Sequence, residues 1–550
     1  MTVRGPRLPG LGWPPWKKIS AAAAGPRVRF DFAPQVVHDS RMHLGWREGA
    51  NLGVVLNLAL GAAIASCGAC SSGPRPAPRQ MSRSDLLDPE TCTGCHADHF
   101  KDWSGSMHAY AAEDPVFLAM NARGQRETGG KLGTFCVQCH APMAVHEGAT
   151  TDGLNLGQLP SKLKGITCFF CHNVEAVDGT NDNPLRLAHD VAMRGPIRNP
   201  IANVAHPTAY STLHDRDQLD SVKLCGTCHD IVNGHGIAIE TTYQEWQGTV
   251  FSKPPVGDSC GQCHMNQSDT LKPIATVPGA PPRRYHSHDF PGVDVALTPF
   301  PQTDTQKARV QTFLDSTLAS ELCVGVQGSR VGIHVSLENV GAGHSWPSGA
   351  AQDRRAWVEV IAYAGANIVY QSGVVPDGVA VTTMSDPDLW LLRECMLDAQ
   401  NNEVSMFWQA ASPSEKYLVP GQVTANLLDP AIYQNHVYQT FPRSTFLNVV
   451  SGQPPDRVTV RVRLQPIGLD VIDDLVASGD LDASTRAAIQ TFDIGTSPLV
   501  EWTPAAAQRV YDYGGIPFTC VSKTGYNPLS CLPGQPPTCS LAAPHVHCKP

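Results

Sequence analysis

Residues 92–109 read CTGCHADHFKDWSGSMHA, and their first five letters form a pattern that returns four more times along the chain. Each copy has two cysteines separated by two residues and followed at once by a histidine. The five copies are Cys92/Cys95/His96, Cys136/Cys139/His140, Cys168/Cys171/His172, Cys225/Cys228/His229 and Cys260/Cys263/His264. All five lie in the first half of the 550-residue chain, so this motif divides the chain into two parts.

The CxxCH motif is typical of covalent attachment of c-type haem. Two thiols add to the vinyl groups on one edge of the haem, and the adjacent histidine becomes the proximal ligand of the iron. Zinc ribbons, redox dithiols and disulfides are the alternatives. A zinc site does not need a histidine after every cysteine pair, and a redox CxxC does not recur five times. The sequence therefore predicts five covalently attached haem c groups.

The motifs are densely spaced, with about 35 residues of chain for each predicted haem. So little protein around each macrocycle predicts that the haems supply much of the apolar core. It also predicts that neighbouring haems lie close enough to exchange electrons.

The second axial ligand decides what each haem does. Histidines on both faces give low-spin iron suited to electron transfer, whereas an open face is a place for a substrate. Nine histidines outside the motifs are candidates for the second face: His108, His146, His189, His206, His214, His235, His286, His288 and His344. We rank His146 and His235 lower because they lie in glycine-flanked loops.

The motif segments resemble a known family. CTGCHADHFKDWSGSMHA, FCVQCHAPMA, GITCFFCH, LCGTCHDIVNG and CGQCHM resemble successive sites of bacterial multihaem cytochromes c of the cytochrome c554-like group. NVGAGHSWPSGAAQDRRAWVEV resembles the segment that opens a β-rich domain in many of its members. The resemblance covers about residues 85–510 and implies electron transfer with mostly bis-histidine haems. The distal ligands that it implies are His108, His206, His288 and His344, with His214 as a less secure fifth.

The second half of the chain has the pattern of a β domain. RVTVRVRLQ (457–465), VGIHVSLENV (331–340) and RAWVEVIAYA (355–364) are rich in β-branched and aromatic residues, and the first alternates apolar and charged side chains. A helix is predicted at LDVIDDLVASG, with Gly479 as its stop. The predicted architecture is multidomain, an α-helical and irregular pentahaem domain followed by an all-β, immunoglobulin-like sandwich. We expect the β domain to be a passive lid or docking platform, although His344 could ligate a haem of the first domain.

The N-terminal region contains an export signal that starts late. Residues 51–66, NLGVVLNLALGAAIAS, form a short apolar run that suits a secretory signal better than a membrane span. It ends in IASC (64–67), which resembles the lipobox of bacterial lipoproteins and implies cleavage before Cys67 and lipid attachment to it. Met42 is a suitable start for such a signal. Plain secretion, and a membrane anchor behind a cytoplasmic tail, are the alternatives.

These observations predict six segments along the chain. They are a mis-assigned N-terminal extension (1–41), a signal peptide with a lipobox (42–67), a flexible linker (68–84), the pentahaem domain (85–300), the β-sandwich (301–515) and a Cys/Pro-rich tail (516–550). Eight cysteines lie outside the motifs: Cys67, Cys70, Cys323, Cys395, Cys520, Cys531, Cys539 and Cys548. In an exported chain we expect two disulfides within the tail and a third between Cys323 and Cys395, with metal binding by the terminal HVHC as an alternative for the tail.

The favoured function is that of an exported electron carrier in a respiratory or extracellular electron-transfer chain, with no catalytic residue assigned. Its expected partners are other cytochromes or quinol-oxidising complexes, and its expected location is periplasmic, outer-membrane-attached or cell-surface through a lipid on Cys67. The net charge of −9 offers no basic surface for nucleic acid. One alternative is an oxidoreductase of a small nitrogen or sulfur compound with one open haem. The chain has no CxxCK motif of the kind that ammonia-forming nitrite reductases usually carry. The other alternative is an oligomeric haem filament.

Overall fold

The computed structural model describes most of the chain after residue 78. The described residues are 79–254, 256–265, 271–328, 330–416, 418, 438–441, 447–448, 453–494, 500–507, 509–513, 516–522 and 539–540. The predicted extension, signal peptide and lipobox lie outside them, together with Cys67, Cys70 and most of the linker. Among the described residues, no helix combines the length and the apolar character that a membrane crossing requires.

The first part of the chain is built from short helices. They are α1 (Arg83–Leu86), α2 (Ala97–Ser104), α3 (Met107–Tyr110), α4 (Pro115–Glu127), α5 (Val137–His140), α6 (Pro142–His146), α7 (Cys168–Asn173), α8 (Val222–Gly226), α9 (Thr242–Gln247) and α10 (Cys260–His264). Only α4 exceeds eight residues. Its start is fixed by Asp114, whose carboxylate accepts hydrogen bonds from the Val116 and Phe117 amides, and by Pro115 at the first helical position.

The strands that the structure describes in this part pair only in twos. They are β1 (Val174–Val177), β2 (Leu185–Leu187), β3 (Met193–Gly195), β4 (Thr208–Tyr210), β5 (Asp230–Val232), β6 (Ala238–Thr241), β7 (Leu271–Pro273) and β8 (Pro282–Arg284). The β3–β4 pair is parallel and the other three pairs are antiparallel. Two-stranded ladders bury little surface, and the main buried cluster of this part comes largely from its helices and loops, with Val137, Met143 and Phe169 fully buried. The predicted α-helical and irregular character is confirmed.

The second part opens with helix α11 (Thr303–Asp315) and then becomes β-rich. Its strands are β9 (Leu318–Gln327), β10 (Arg330–Asn339), β11 (Arg355–Ala364), β12 (Asn367–Ser372), β13 (Trp390–Leu397), β14 (Glu403–Val404), β15 (Ser412–Lys416), β16 (Tyr438–Phe441), β17 (Leu447–Asn448), β18 (Arg457–Gln465), β19 (Phe492–Ile494), β20 (Val500–Trp502), β21 (Arg509–Tyr513), β22 (Ile516–Ser522) and β23 (Cys539–Ser540). Helix α12 (Leu469–Ala477) interrupts them between β18 and β19.

These strands form two sheets that share one core. One sheet has the order β21-β22-β9-β10-β16-β23, with β17 also on β10. The other has the order β14-β13-β11-β18-β19, with β12, β15 and β20 added to β11, β13 and β18. Leu322 and Val335 of the first sheet and Val358, Leu392 and Val460 of the second belong to the same buried cluster. The β-rich second half and its sandwich packing are as predicted.

The predicted β segments fall where the structure has strands. RVTVRVRLQ is β18 and RAWVEVIAYA is β11, and the two run antiparallel with Val358 opposite Val462. On β18 the valines are buried while Arg461 and Arg463 reach carboxylates at the sheet surface. Helix α12 stops just before Gly479, which adopts a positive φ of 79° as helix C-termini commonly require.

The two parts of the chain pack directly on each other. Val116 and Ala119 of α4 share a buried cluster with Ile472 of α12 and with Trp408. The Trp408 indole N–H donates to the Glu127 carboxylate at 2.9 Å. Apolar contact and partly buried polar contact therefore both attach the β part to the first part.

The disulfide arrangement differs from the prediction. Cys323 on β9 is bonded to Cys520 on β22, with a Cα–Cα distance of 4.0 Å. The expected Cys323–Cys395 bridge is therefore wrong, and so are two disulfides confined to the tail. The reason is strand register, because Cys520 lies directly opposite Cys323. Cys395, on β13 of the other sheet, is also disulfide-bonded.

Removal of side-chain volume from the shared core tests the sandwich. Leu322 is fully buried on β9, so Leu322→Ala should lower the free energy of unfolding by about 2–5 kcal/mol. The matched control is Ile368→Ala on β12, where the side chain is 53% exposed and the change should stay within about 0.5 kcal/mol. Denaturant titration followed by far-UV circular dichroism measures both. Equal losses in the two variants would contradict this packing.

Candidate haem sites

Each CxxCH motif lies in or beside a helical turn. Three motifs lie in α5, α7 and α10, the fourth begins in α8, and the first begins in a 3-10 helix over Pro89–Gly94. Residues three apart project from the same side of a helical turn, so the two thiols of a helical motif face one direction with the histidine beside them. Side-chain caps fix two of these turns: Thr167 accepts from the Phe170 amide, and Ser259 forms a capping box with Gln262.

Cys95 of the first motif lies one residue beyond the 3-10 helix, with φ −120° and ψ −32°, and its amide donates to the Cys92 carbonyl oxygen at 3.1 Å. Cys228 of the fourth motif likewise lies beyond the end of α8, and its amide donates to the Cys225 carbonyl oxygen at 3.2 Å. The Thr276 amide also donates to the Cys95 carbonyl oxygen at 2.8 Å. Haem attachment through the ten motif cysteines stays a prediction from the motif.

Most motif histidines are fixed by a hydrogen bond from Nδ1 to a backbone carbonyl oxygen. The pairs are His96 with Ile274 at 2.9 Å, His140 with Ala111 at 3.0 Å, His172 with Arg194 at 2.5 Å and His264 with Pro291 at 2.8 Å. An imidazole that donates from Nδ1 keeps the lone pair of Nε2 for a metal, as metal-bound histidines commonly do. Burial lowers the pKa of all five motif histidines, which favours the neutral form that a metal requires.

Four motif histidines face a second histidine ring from elsewhere in the chain. The ring centroids are 6.4 Å apart for His96 and His206, 6.4 Å for His229 and His108, 6.2 Å for His172 and His288, and 6.5 Å for His264 and His344. These separations exceed direct stacking and are nearly constant. This nearly constant distance indicates that all four ring pairs are spaced to bind the same kind of group.

A haem iron fits that spacing. An imidazole nitrogen lies about 2 Å from a first-row metal and the ring centre about 1 Å further, so two trans imidazoles have centres roughly 6.3 Å apart. The distal candidates carry the same kind of anchor as the motif histidines. His288 Nδ1 contacts the His286 carbonyl oxygen and His344 Nδ1 contacts that of Ser345, both at 2.9 Å. The residues present therefore suit four bis-histidine haems.

His214, the fifth distal candidate, lies beside a motif histidine that already faces His288. Its ring is 5.8 Å from that of His172. Unlike the other candidates, its Nε2 contacts a backbone oxygen, that of Cys171, at 2.7 Å. This nitrogen is therefore engaged with the protein, while the buried Nδ1 of His214 has no hydrogen-bond partner among the described residues. The 6.2 Å spacing of His288 is the one that matches the other three ring pairs.

His140 has a different environment from the other four motif histidines. Its ring stacks on Phe117, with centroids 4.0 Å apart and planes within 3°. Among the described residues, none of the predicted distal histidines pairs with it as a facing ring. A haem on this motif would therefore lack the second imidazole that the other four motifs have.

The motifs approach one another through their cysteines. Cysteines of different motifs lie close enough to shift one another's pKa: Cys92 raises that of Cys168, Cys139 that of Cys228 and Cys225 that of Cys260. Together with burial, Cys225 also raises the pKa of Cys171. The five motifs therefore lie near one another.

Sequence reasoning missed one histidine of the site. The His99 ring lies 5.9 Å from that of His96 and 4.9 Å from that of His288, so it stands between two of the motif sites. Burial and the neighbouring histidines lower the pKa of His99 to about 2. Its position three residues after His96 on α2 was the available signal, since helix neighbours at that spacing share a face. The backbone carbonyl oxygens of Ile274, Ala111 and Pro291 that bind motif histidines could not be predicted, because every residue type has such an oxygen.

The remaining candidate histidines take no part in the described ring pairs. They are His146, His189, His235 and His286. His146 is exposed and contacts Glu147 at 3.2 Å, while burial lowers the pKa of His286 to about 4. Within the described part of the chain, none of the four faces a motif histidine.

Comparisons with known proteins agree with this geometry. A family model described as cytochrome c554 and c-prime matches residues 91–173. The fold is similar to the crystal structure of a penta-heme cytochrome c552 from Thermochromatium tepidum, with a TM-score of 0.52 and 18% identity, covering 76% of this chain and 99% of that chain. No curated protein matches. The family-model match over residues 91–173 supports the resemblance to multihaem cytochromes c seen in the sequence, and the structural match shows a similar fold.

Substitution separates the two histidines that lie against His172. His288→Ala should convert one low-spin iron to a high-spin one, because the distal imidazole is lost. His214→Ala should leave the low-spin signals unchanged. Electron paramagnetic resonance of the oxidised proteins, normalised to haem content, measures both. A loss of low-spin intensity in His214→Ala alone would show that His214 is the ligand.

Proposed function

We propose that this chain is a multihaem c-type cytochrome, an exported electron carrier with five haem c groups that works in a respiratory or extracellular electron-transfer chain. The four opposed histidine pairs carry the proposal. Two axial imidazoles leave no open position on an iron, which suits electron transfer and disfavours substrate binding. Five CxxCH motifs that lie near one another support a continuous path for electrons.

In this proposal the ten motif cysteines hold the haems and the motif histidines are the proximal ligands. The distal ligands are His206 for the His96 haem, His108 for the His229 haem, His288 for the His172 haem and His344 for the His264 haem. What bound haem supplies is reversible one-electron chemistry at iron. The protein's residues fix the imidazoles through backbone carbonyls and keep them neutral by burial. The electron donors and acceptors would be other cytochromes or quinol-oxidising complexes.

Export and attachment follow from the N-terminal segment. The apolar run at 51–66 and the lipobox-like IASC support secretion with a lipid on Cys67, which would place the haems at the periplasmic or outer surface. Haem c is assembled outside the cytoplasm, and this agrees with such a route. The linker after Cys67 would separate the lipid from the folded part.

Mass spectrometry of the mature protein from a host with lipoprotein processing tests the attachment. We expect an N-terminus at Cys67 with the mass of a lipid group, and recovery in the membrane fraction. Cys67→Ala should move the protein to the soluble exported fraction, while Cys70→Ala should change nothing. An unmodified N-terminus elsewhere would reject the lipid anchor but leave the haem assignment untouched.

A second function is favoured by His140. Because its described surroundings hold no facing histidine, its haem would have an open position, as in a haem oxidoreductase of a small nitrogen or sulfur compound. The stacked Phe117 and the buried setting of His140 would keep that haem in an apolar environment. Electron transfer through the other four haems would then serve this site.

Iron and haem analysis with spectroscopy distinguishes the two functions. We expect five haems per chain, four low-spin signals and one high-spin signal, and carbon monoxide binding to a single reduced haem. Turnover of nitrite or hydroxylamine with a reduced dye would then support the oxidoreductase, and its absence the carrier. Five low-spin irons that bind no carbon monoxide would eliminate the open-site function. Fewer than five haems would reject the proposed count.

A further inference from the structure

The loop that presents His344 is fastened to the first part of the chain by one carboxylate. Glu245 lies on α9, close after the fourth motif, and its Oε2 accepts hydrogen bonds from the Ser345 amide at 3.0 Å and the Ser348 hydroxyl at 2.7 Å. Its Oε1 accepts from the Thr241 hydroxyl at 2.9 Å. Both carboxylate oxygens are thus used, and charge-assisted bonds of this kind are stronger than neutral ones.

The contacts of Glu245 bear on the histidine itself. The peptide between His344 and Ser345 is held on both sides, because Asn339 Nδ2 donates to its carbonyl oxygen at 2.7 Å while Glu245 accepts from its N–H. The Ser345 carbonyl oxygen in turn contacts His344 Nδ1 at 2.9 Å. Ser345 is fully buried. The orientation of the His344 ring therefore depends on the backbone of Ser345, whose N–H is held by Glu245.

Neighbouring residues of the first part reinforce the same loop. The Thr242 and Ser348 hydroxyls are 2.8 Å apart, and Thr242 Oγ1 accepts from the Gly349 amide at 3.0 Å. The Thr249 hydroxyl donates to the Gly343 carbonyl oxygen at 3.4 Å. Gly343 has a φ of 73°, a conformation that suits glycine. Glu245 is the charged member of this set.

We propose that Glu245 is a positioning residue that holds His344 of the β part on the iron of the His264 haem. This rests on the proposed function, in which His344 is the distal ligand of that haem. Glu245 would act through the Ser345 amide and the Ser348 hydroxyl. The His264 haem would thus gain its sixth ligand only when the β part is packed against the first part.

Carbon monoxide binding to the reduced holoprotein tests the proposal, because the gas must displace His344. In Glu245→Ala the ratio of bound to released His344 should fall roughly 10- to 100-fold. The carbon monoxide affinity of one further haem should rise by the same factor, and part of one low-spin signal should be lost on oxidation. Glu245→Gln should behave as wild type, because its amide can accept from Ser345 and donate to Thr241.

Two further variants give the reference and the control. His344→Ala should open the same haem completely, and Glu245→Ala combined with it should add nothing. Glu501→Ala removes an exposed glutamate of β20, paired with Arg457 at 3.6 Å, and should leave carbon monoxide binding unchanged. Haem content and far-UV circular dichroism show whether each variant is assembled.

The outcomes separate the two proposals. If His344→Ala opens no haem, the ligand assignment under the proposed function is wrong. If His344→Ala opens one haem and Glu245→Ala has the carbon monoxide affinity of wild type, only the positioning role is overturned. A double variant with a higher carbon monoxide affinity than His344→Ala would also overturn the positioning role alone. Should Glu245→Ala fail to assemble, Ser348→Ala removes one of its contacts and should raise the affinity several-fold. Wild-type affinity in an assembled Ser348→Ala would then overturn the proposal.

Discussion

The first part of this molecule depends on one constraint: pairs of histidine rings must face each other at a nearly constant distance. The gap is almost the same at four sites, although the surrounding elements differ between them. This spacing matches two imidazoles that bind one metal ion. The short helices and paired strands around the motifs therefore position histidines for cofactors, next to a buried apolar cluster that includes Val137, Met143 and Phe169.

The facing histidines also bring segments together that are distant in the sequence. His108 follows the first motif but faces the fourth, and His206 precedes the fourth motif but faces the first. The partners lie between 80 and 121 positions apart in the sequence. Because each of these four sites joins distant segments, none of the four forms from a single stretch of chain. The stability of the first part is then shared among all the sites, and loss of one ligand affects the packing of others.

The residue types predicted the chemistry of the site better than they predicted which histidines and cysteines pair with each other. The five motifs and the strands β11 and β18 could be identified from spacing and alternation alone. Four of the distal candidates came from a resemblance, and which motif each one faces could not be predicted, since that depends on how distant loops cross. The Cys323–Cys520 bridge was missed for the same reason, because strand register over a separation of 197 residues is not visible in the sequence. His99 was missed because its burial comes from neighbours far along the chain.

The β part is more than a cover for the haems if His344 is a ligand, because one coordination site is then completed only when the two parts meet. The contact around α4 and α12 fixes their relative position through apolar surface, and the loop at Gly343–Gly349 adds polar bonds beside the His264 site. These two attachments have different consequences. Apolar packing tolerates small displacements at modest energetic cost, whereas a metal–ligand bond depends on tenths of an ångström. Apolar packing alone would not position His344 to within tenths of an ångström. A carboxylate on α9 that binds the backbone next to His344 supplies this accuracy, and this explains why a charged residue lies at that point of the interface.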